Sequence, residues 1–143
     1  MTPSPLLGPI VALVAWSILV LFYLAFVRGR AVKRAGMKVD YKSGGRGQDL
    51  EGRLDPKANW PAHNYAHLME QPTLFYAIVL SLVLMGFDHH INVWLAWTYV
   101  VLRIAHSLVQ IFNNDLRIRF PLFLLSTLAL ASLTVHAGLR LWQ

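Results

Sequence analysis

The 143-residue sequence contains no cysteine. The chain therefore forms no disulfide, offers no thiolate of its own as a nucleophile and has no cysteine metal site. Charged residues are scarce, at 14%, whereas 56% of the residues are apolar. The Gly-rich stretch 43–47 lacks the Gly-Lys-Ser/Thr ending of a P-loop, so we predict no phosphate cradle there.

The apolar residues are gathered into four stretches, each long enough to cross a bilayer, which takes about 20 residues. A soluble all-α protein rarely carries four such uninterrupted stretches. We therefore predict an all-α integral membrane protein, a single domain over residues 1–143 built as an antiparallel, up-down bundle of four transmembrane helices. The expected spans are about 6–27, 61–87, 91–112 and 120–142.

The first apolar stretch differs from a secretory signal peptide. Residues 1–8 lack a basic segment, and the Arg and Lys cluster follows the apolar run instead of preceding it. We expect this stretch to be retained as a span, with the N-terminus on the outer side.

Basic residues are distributed unevenly between the stretches. Nine of the thirteen Lys and Arg residues lie between the first and second, and Arg117 and Arg119 lie between the third and fourth. Because cytoplasmic loops collect Lys and Arg, we predict a cytoplasmic loop at about residues 28–57 and both termini on the non-cytoplasmic side. The same rule explains the net charge of +6 better than nucleic-acid binding does. We predict membrane lipids, and no nucleic acid, as partners, with anionic headgroups attracted to the basic rim.

Several residues predict where helices begin, bend or end. Asp55-Pro56 is a helix-start pattern, with Asp as N-cap and Pro at the first position, although Pro61 could instead start this helix. Pro72 should bend the helix, because it lacks the N–H that would bond to Leu68. Pro121 is expected to start the fourth helix.

Polar side chains share one face in each of the two middle helices. His63, His67 and Glu70 are spaced i, i+4, i+7, and the third helix carries Arg103, His106 and Gln110 at i, i+3, i+7. At 1.5 Å per residue, Glu70 lies about 23 Å and His106 about 22 Å from the turn that joins the helices. The two faces are therefore level and should meet inside the bundle.

Arg103 and Glu70 are the charges expected at membrane depth. An Arg at the centre of a span costs about 2.5–3.5 kcal/mol on insertion scales, so we predict an ion pair with Glu70, the one carboxylate at its depth. The pair could merely fix helix register, or it could form the floor of a polar pocket open to the inner face. A metal site of His63, His67, Glu70 and His106 is less favoured, because nearby Arg residues repel a cation.

The third helix and the loop after it resemble a known family. Arg103-Ile104-Ala105-His106 followed by Arg117-Ile118-Arg119 is similar to the Arg-x-x-His/Tyr motif and loop Arg of the MAPEG family, membrane-associated proteins in eicosanoid and glutathione metabolism. Glu70 falls on the Glu of the family's second-helix Arg-x-x-x-Asn-x-x-Glu segment. His63 and His67 stand where that segment usually has Arg and Asn, and Gln110 stands where the synthases carry Tyr.

The resemblance implies a homotrimer with a glutathione site at the cytoplasmic side, between the second and third helices of neighbouring subunits. It implies a glutathione-dependent transferase or peroxidase acting on a lipophilic small-molecule substrate that enters from the bilayer. Arg119 or Arg117 would activate the thiol as the catalytic residue, since both align with the loop Arg in one member or another. The residues that would hold glutathione are His63, His67, Glu70, Arg103, His106 and Gln110.

A non-catalytic trimer, lipid-binding or structural, is the alternative. In such a protein the buried polar groups would only set packing, and their hydrogen-bond donors would be used up by protein partners. In an enzyme, Arg103, His106 and Arg119 should converge on an open cleft.

Overall fold

A computed structural model describes residues 3–38 and 44–142, and over these residues it is helical, with no strand. Four helical stretches in this part of the chain are long and apolar enough to cross a membrane, which confirms the predicted all-α class. The second of them is interrupted, so that five α-helices are present. They are α1 (Leu7–Arg34), α2 (Pro56–Met69), α3 (Gln71–Leu84), α4 (His90–Phe112) and α5 (Leu116–Leu141), with a short 3₁₀ helix at Gly47–Leu50.

The long first helix ends in a basic turn that is followed by glycine. Its last residue is Arg34, and Gly36 follows in the left-handed conformation at φ +62°, which glycine adopts without steric cost. Lys33 and Arg34 occupy the last turn, where positive charge complements the helix dipole. Residues 39–43 of the loop that follows lie outside the described part of the chain.

Helix α2 begins at the first of the two sites considered. Asp55 is its N-cap, and the Asp55 carboxylate accepts a hydrogen bond of 2.8 Å from the Lys57 N–H. Pro56 occupies the first helical position, where its missing N–H costs nothing. Pro61 lies inside the helix, so the alternative start at Pro61 is wrong.

The bend expected near Pro72 is a complete interruption. Helix α2 ends at Met69, α3 begins at Gln71, and Glu70 between them has φ −88° and ψ −97°. Pro72 cannot donate to Leu68, and its ring crowds the preceding turn, which accounts for the loss of helical bonding at this point. The Glu70 carbonyl instead accepts from the Thr73 N–H and hydroxyl, at 3.1 and 2.6 Å.

Helix α5 begins earlier than predicted. Asp115 caps it, accepting a 2.8 Å hydrogen bond from the Arg117 N–H, and Leu116 is the first helical residue. Pro121 lies within the helix, so the prediction that it starts the fourth helix is wrong. Arg117 and Arg119 consequently lie in the first turn of a helix and not in a loop.

The core contains polar side chains as well as apolar ones. The rings of Phe75 on α3 and Tyr99 on α4 are stacked, with centroids 4.3 Å apart. The Ser107 hydroxyl accepts hydrogen bonds from Trp16 Nε1 at 2.9 Å and from Asn64 Nδ2 at 2.6 Å. Hydrogen bonds of this kind hold transmembrane helices together, and here they join α1, α2 and α4.

Candidate functional site

A cleft of about 280 Å³ opens where α2, α3, α4 and the first turns of α5 meet. The helix break at Glu70 forms one wall, and the start of α5 forms another. Its polar lining consists of His67, Glu70, Gln71, Arg103, His106 and Arg119. Five of the eight candidates from the sequence therefore meet in one cavity.

Arg103 is the most deeply placed charge in the cleft. It is 2% exposed, and its Nη2 donates a 2.9 Å hydrogen bond to the His67 carbonyl. Within the described residues, its Nε and Nη1 have no hydrogen-bond partner. Its guanidinium carbon lies 5.9 Å from the centre of the Phe123 ring. Two buried donors of a charged group are thus available for an acceptor in the cleft.

The predicted Glu70–Arg103 ion pair is not formed. Among the described residues, the one salt bridge joins His63 to Glu51, and Glu70 is an exposed residue at the cleft wall. The helix break explains the difference, because it frees the His67 carbonyl from the α2 hydrogen-bond ladder and turns it toward Arg103. Arg103 is therefore held by a main-chain oxygen in place of a carboxylate.

Arg119 and Arg117 differ in where their side chains lie. Arg119 is half-buried, lines the cleft, and donates from Nη1 to the Asn114 side-chain oxygen at 2.6 Å. Asn114 has φ +57°, a left-handed conformation that asparagine tolerates better than most residues. Arg117 is exposed and does not line the cleft. The turn between α4 and α5 thus holds Arg119, and not Arg117, at the cavity.

His106 and Gln110 are buried on α4, one turn apart. The His106 and His67 rings lie with their centroids 6.1 Å apart, across the cleft between α4 and α2. Gln110 lies beyond the cavity lining, and its side-chain oxygen has no hydrogen-bond partner among the described residues. An unpaired buried acceptor marks Gln110 as a second polar group that could serve a ligand or a water.

His63 does not join the other candidates. Its Nε2 lies 3.1 Å from the Glu51 carboxylate at the protein surface, away from the cleft. Over residues 3–38 and 44–142, no three His, Asp or Glu side chains are grouped so as to hold a metal ion. His63, His67, Glu70 and His106 therefore do not make up the metal site considered from the sequence.

Four cleft residues were missed from the sequence. Three of them, Leu116, Phe120 and Phe123, line the cavity from α5. Together with Arg119 they are spaced i, i+3, i+4 and i+7, so all lie on one face of that helix. The pattern is visible in the sequence once Asp115 is recognised as the N-cap. Gln71 was missed because the helix break decides where it faces; it bonds to Thr127 Oγ1 at 2.9 Å and accepts from the Tyr99 hydroxyl at 3.4 Å.

Comparison with known proteins supports the resemblance stated above. The model of the MAPEG family matches residues 6–139, which is nearly the whole chain. Neither a curated protein nor a solved structure matches the chain significantly. The extent of the match is decisive, and the chain is a membrane protein that belongs to the MAPEG family.

Proposed function

We propose that the chain is a glutathione-dependent transferase or peroxidase that acts on lipophilic electrophiles at the cytoplasmic side of the bilayer. The observation that carries the proposal is the pair of unpartnered Arg103 donors in an open cleft beside Arg119. A buried guanidinium with free donors is costly unless an acceptor arrives to meet it. The family is generally associated with glutathione, whose two carboxylates are acceptors of this kind.

The lining of the cleft fits such a ligand. Arg103 Nε and Nη1 would donate to a carboxylate, a charge-assisted contact that is stronger than a neutral one. His67, His106 and Gln71 supply further polar contacts around the same cavity. The volume of about 280 Å³ is near the lower end of ligand pockets, about 300–1,000 Å³. We propose that a neighbouring subunit completes the site.

Arg119 is proposed to be the catalytic residue. When bound, glutathione supplies a thiol whose anion is the nucleophile toward an electrophilic carbon or a peroxide. A positive charge close to the sulfur favours the anion and lowers the thiol pKa from its ordinary value near 8.5. Arg119 can place this charge because Asn114 holds its Nη1 and its Nε is free of protein partners in the described chain.

The apolar part of the cleft is proposed to receive the second substrate. Leu116 and Phe120 are 67% and 60% exposed on the side of α5 that leads into the cavity. In a membrane this surface meets acyl chains, so a lipophilic electrophile could pass from the bilayer to the polar end of the cleft without crossing water. Phe123, beside Arg103, lies where the apolar surface gives way to the polar one.

The proposal is tested with purified protein in detergent or vesicles, glutathione and a generic lipophilic electrophile. We expect glutathione conjugation above the uncatalysed rate, and loss of that excess when Arg119 is replaced. Absence of conjugation and of peroxide reduction, under conditions in which the protein is folded and trimeric, would favour the non-catalytic, lipid-binding or structural trimer.

The orientation in the membrane is a further part of the proposal. The chain has no native cysteine, so single cysteines report sidedness without background. Gln48→Cys lies in the exposed 3₁₀ helix and Asp88→Cys in the exposed turn between α3 and α4. With an impermeant thiol reagent on intact cells, we expect labelling at position 88 and not at position 48. The reverse pattern would contradict a cytoplasmic basic loop.

A further inference from the structure

A second and larger pocket lies away from the cleft, between the C-terminal end of α1 and the beginning of α2. Its volume is about 540 Å³. Four basic side chains surround it, whereas its lining has a single carboxylate, that of Asp55, which already caps α2. The basic residues are Arg30, Arg34, Arg53 and Lys57.

The four cations have no anionic partner among the residues that the structure describes. None of their side chains makes a hydrogen bond or an ion pair there, the one salt bridge being His63–Glu51 at another site. Arg30 and Lys57 lie instead against aromatic rings, 5.3 Å from the Phe26 centroid and 5.9 Å from that of Trp60. Clustered like charges repel one another, so a bound anion would lower the energy of this arrangement.

The floor of the same pocket is apolar. It is formed by Phe26, Val27 and Ala31 on α1, with buried Leu54 and Ala58 opposite. Phe26 is 58% exposed and continues the exposed apolar surface of α1. The apolar run of α1 ends at Val27 and the basic residues begin directly after it, so the pocket lies at the depth of the lipid headgroups.

We propose that this pocket is a specific binding site for one anionic phospholipid. The phosphate and headgroup would lie among the four basic side chains, and an acyl chain would follow the wall at Phe26 and Val27. Basic pockets between transmembrane helices on the cytoplasmic side bind anionic headgroups in this manner. A free phosphate could use the cations but not the apolar wall, which is why a lipid is the favoured occupant.

The test uses full-length protein, stripped of lipid in a non-ionic detergent and titrated with acyl-labelled phosphatidylglycerol. Phosphatidylcholine with the same acyl chains is the neutral comparison. We expect saturable binding of one phosphatidylglycerol per chain and weaker binding of phosphatidylcholine. The double variant Arg30→Gln with Arg34→Gln should bind phosphatidylglycerol about 25-fold more weakly, at about fivefold for each basic residue near a membrane surface.

Two further variants distinguish binding in the pocket from general electrostatic attraction to the basic region. Lys38→Gln with Arg46→Gln removes the same charge from the same basic region outside the pocket, and it should bind nearly as the parent does. Ala31→Phe keeps every charge but fills the pocket, and it should weaken binding. The proposal is overturned by equal losses in both double variants, by full binding to Ala31→Phe, or by inorganic phosphate displacing the lipid at millimolar concentration.

Discussion

Replacing Arg119 with alanine should lower the turnover of glutathione conjugation by tenfold to a hundredfold while changing glutathione affinity little. A charge that stabilises the anionic sulfur acts on the reactive state and not on the bound ground state. Loss of one charge-assisted contact is worth about 1.5–3 kcal/mol, which corresponds to about that change in rate. Steady-state kinetics with a lipophilic electrophile, together with a separate binding titration, measure the two quantities.

The pH dependence and a neighbouring variant sharpen this prediction. Without Arg119 the thiol pKa returns toward 8.5, so the rise of kcat/KM with pH should move to higher pH. Arg117→Ala is the matched comparison, because it removes the same residue type two positions earlier and outside the cleft. If Arg117→Ala shows the larger loss, the assignment of the catalytic charge to Arg119 is wrong.

Replacing Arg103 with leucine should greatly weaken glutathione binding while changing the stability of the ligand-free protein much less. The variant loses the two unpartnered donors of Arg103 and leaves the His67 carbonyl without its partner. An unsatisfied buried carbonyl costs about 1–3 kcal/mol, but removing two unpartnered buried donors offsets part of that cost, so the thermal unfolding temperature without ligand should fall only slightly. Glutathione titration and thermal unfolding in detergent measure the two effects.

The stability changes caused by Glu70→Gln and Arg103→Leu should be nearly additive. Because no ion pair joins the two residues, the losses for Glu70→Gln and Arg103→Leu should add to within about 0.5 kcal/mol in the double variant. A clearly smaller combined loss would show that the carboxylate and the guanidinium interact, as the depth comparison alone suggested.

The general plan of this protein could be predicted because it follows from where apolar, basic and polar residues lie along the sequence. Four apolar stretches of sufficient length require four helices, and the end of α1 follows from a basic last turn and a glycine. The i, i+3 and i, i+4 spacings placed His67, Arg103 and His106 on facing helices, and the structure brings them to one cleft. Each of these inferences depends on stretch length, on helix-ending residues or on spacing, which a sequence displays directly.

The details of the cleft could not be predicted because they depend on backbone geometry. Depth along a helix gives the level of a side chain but not the course of the backbone at Glu70, where the helix is broken. The broken turn offers Arg103 a carbonyl, which replaced the expected carboxylate. Likewise, Asp115 and not Pro121 decides where α5 begins, so Leu116 and Arg119 lie in a helix and not in the predicted loop.

Calorimetric titration of the purified parent protein and its Arg103→Leu variant would be decisive for the cleft. The ligands are glutathione and its analogue with serine in place of cysteine. We predict that the parent binds both, that only glutathione releases a proton on binding, and that Arg103→Leu binds neither measurably. Equal binding of glutathione to the parent and to Arg103→Leu, or no binding to the parent at millimolar glutathione, would contradict a glutathione site built on Arg103.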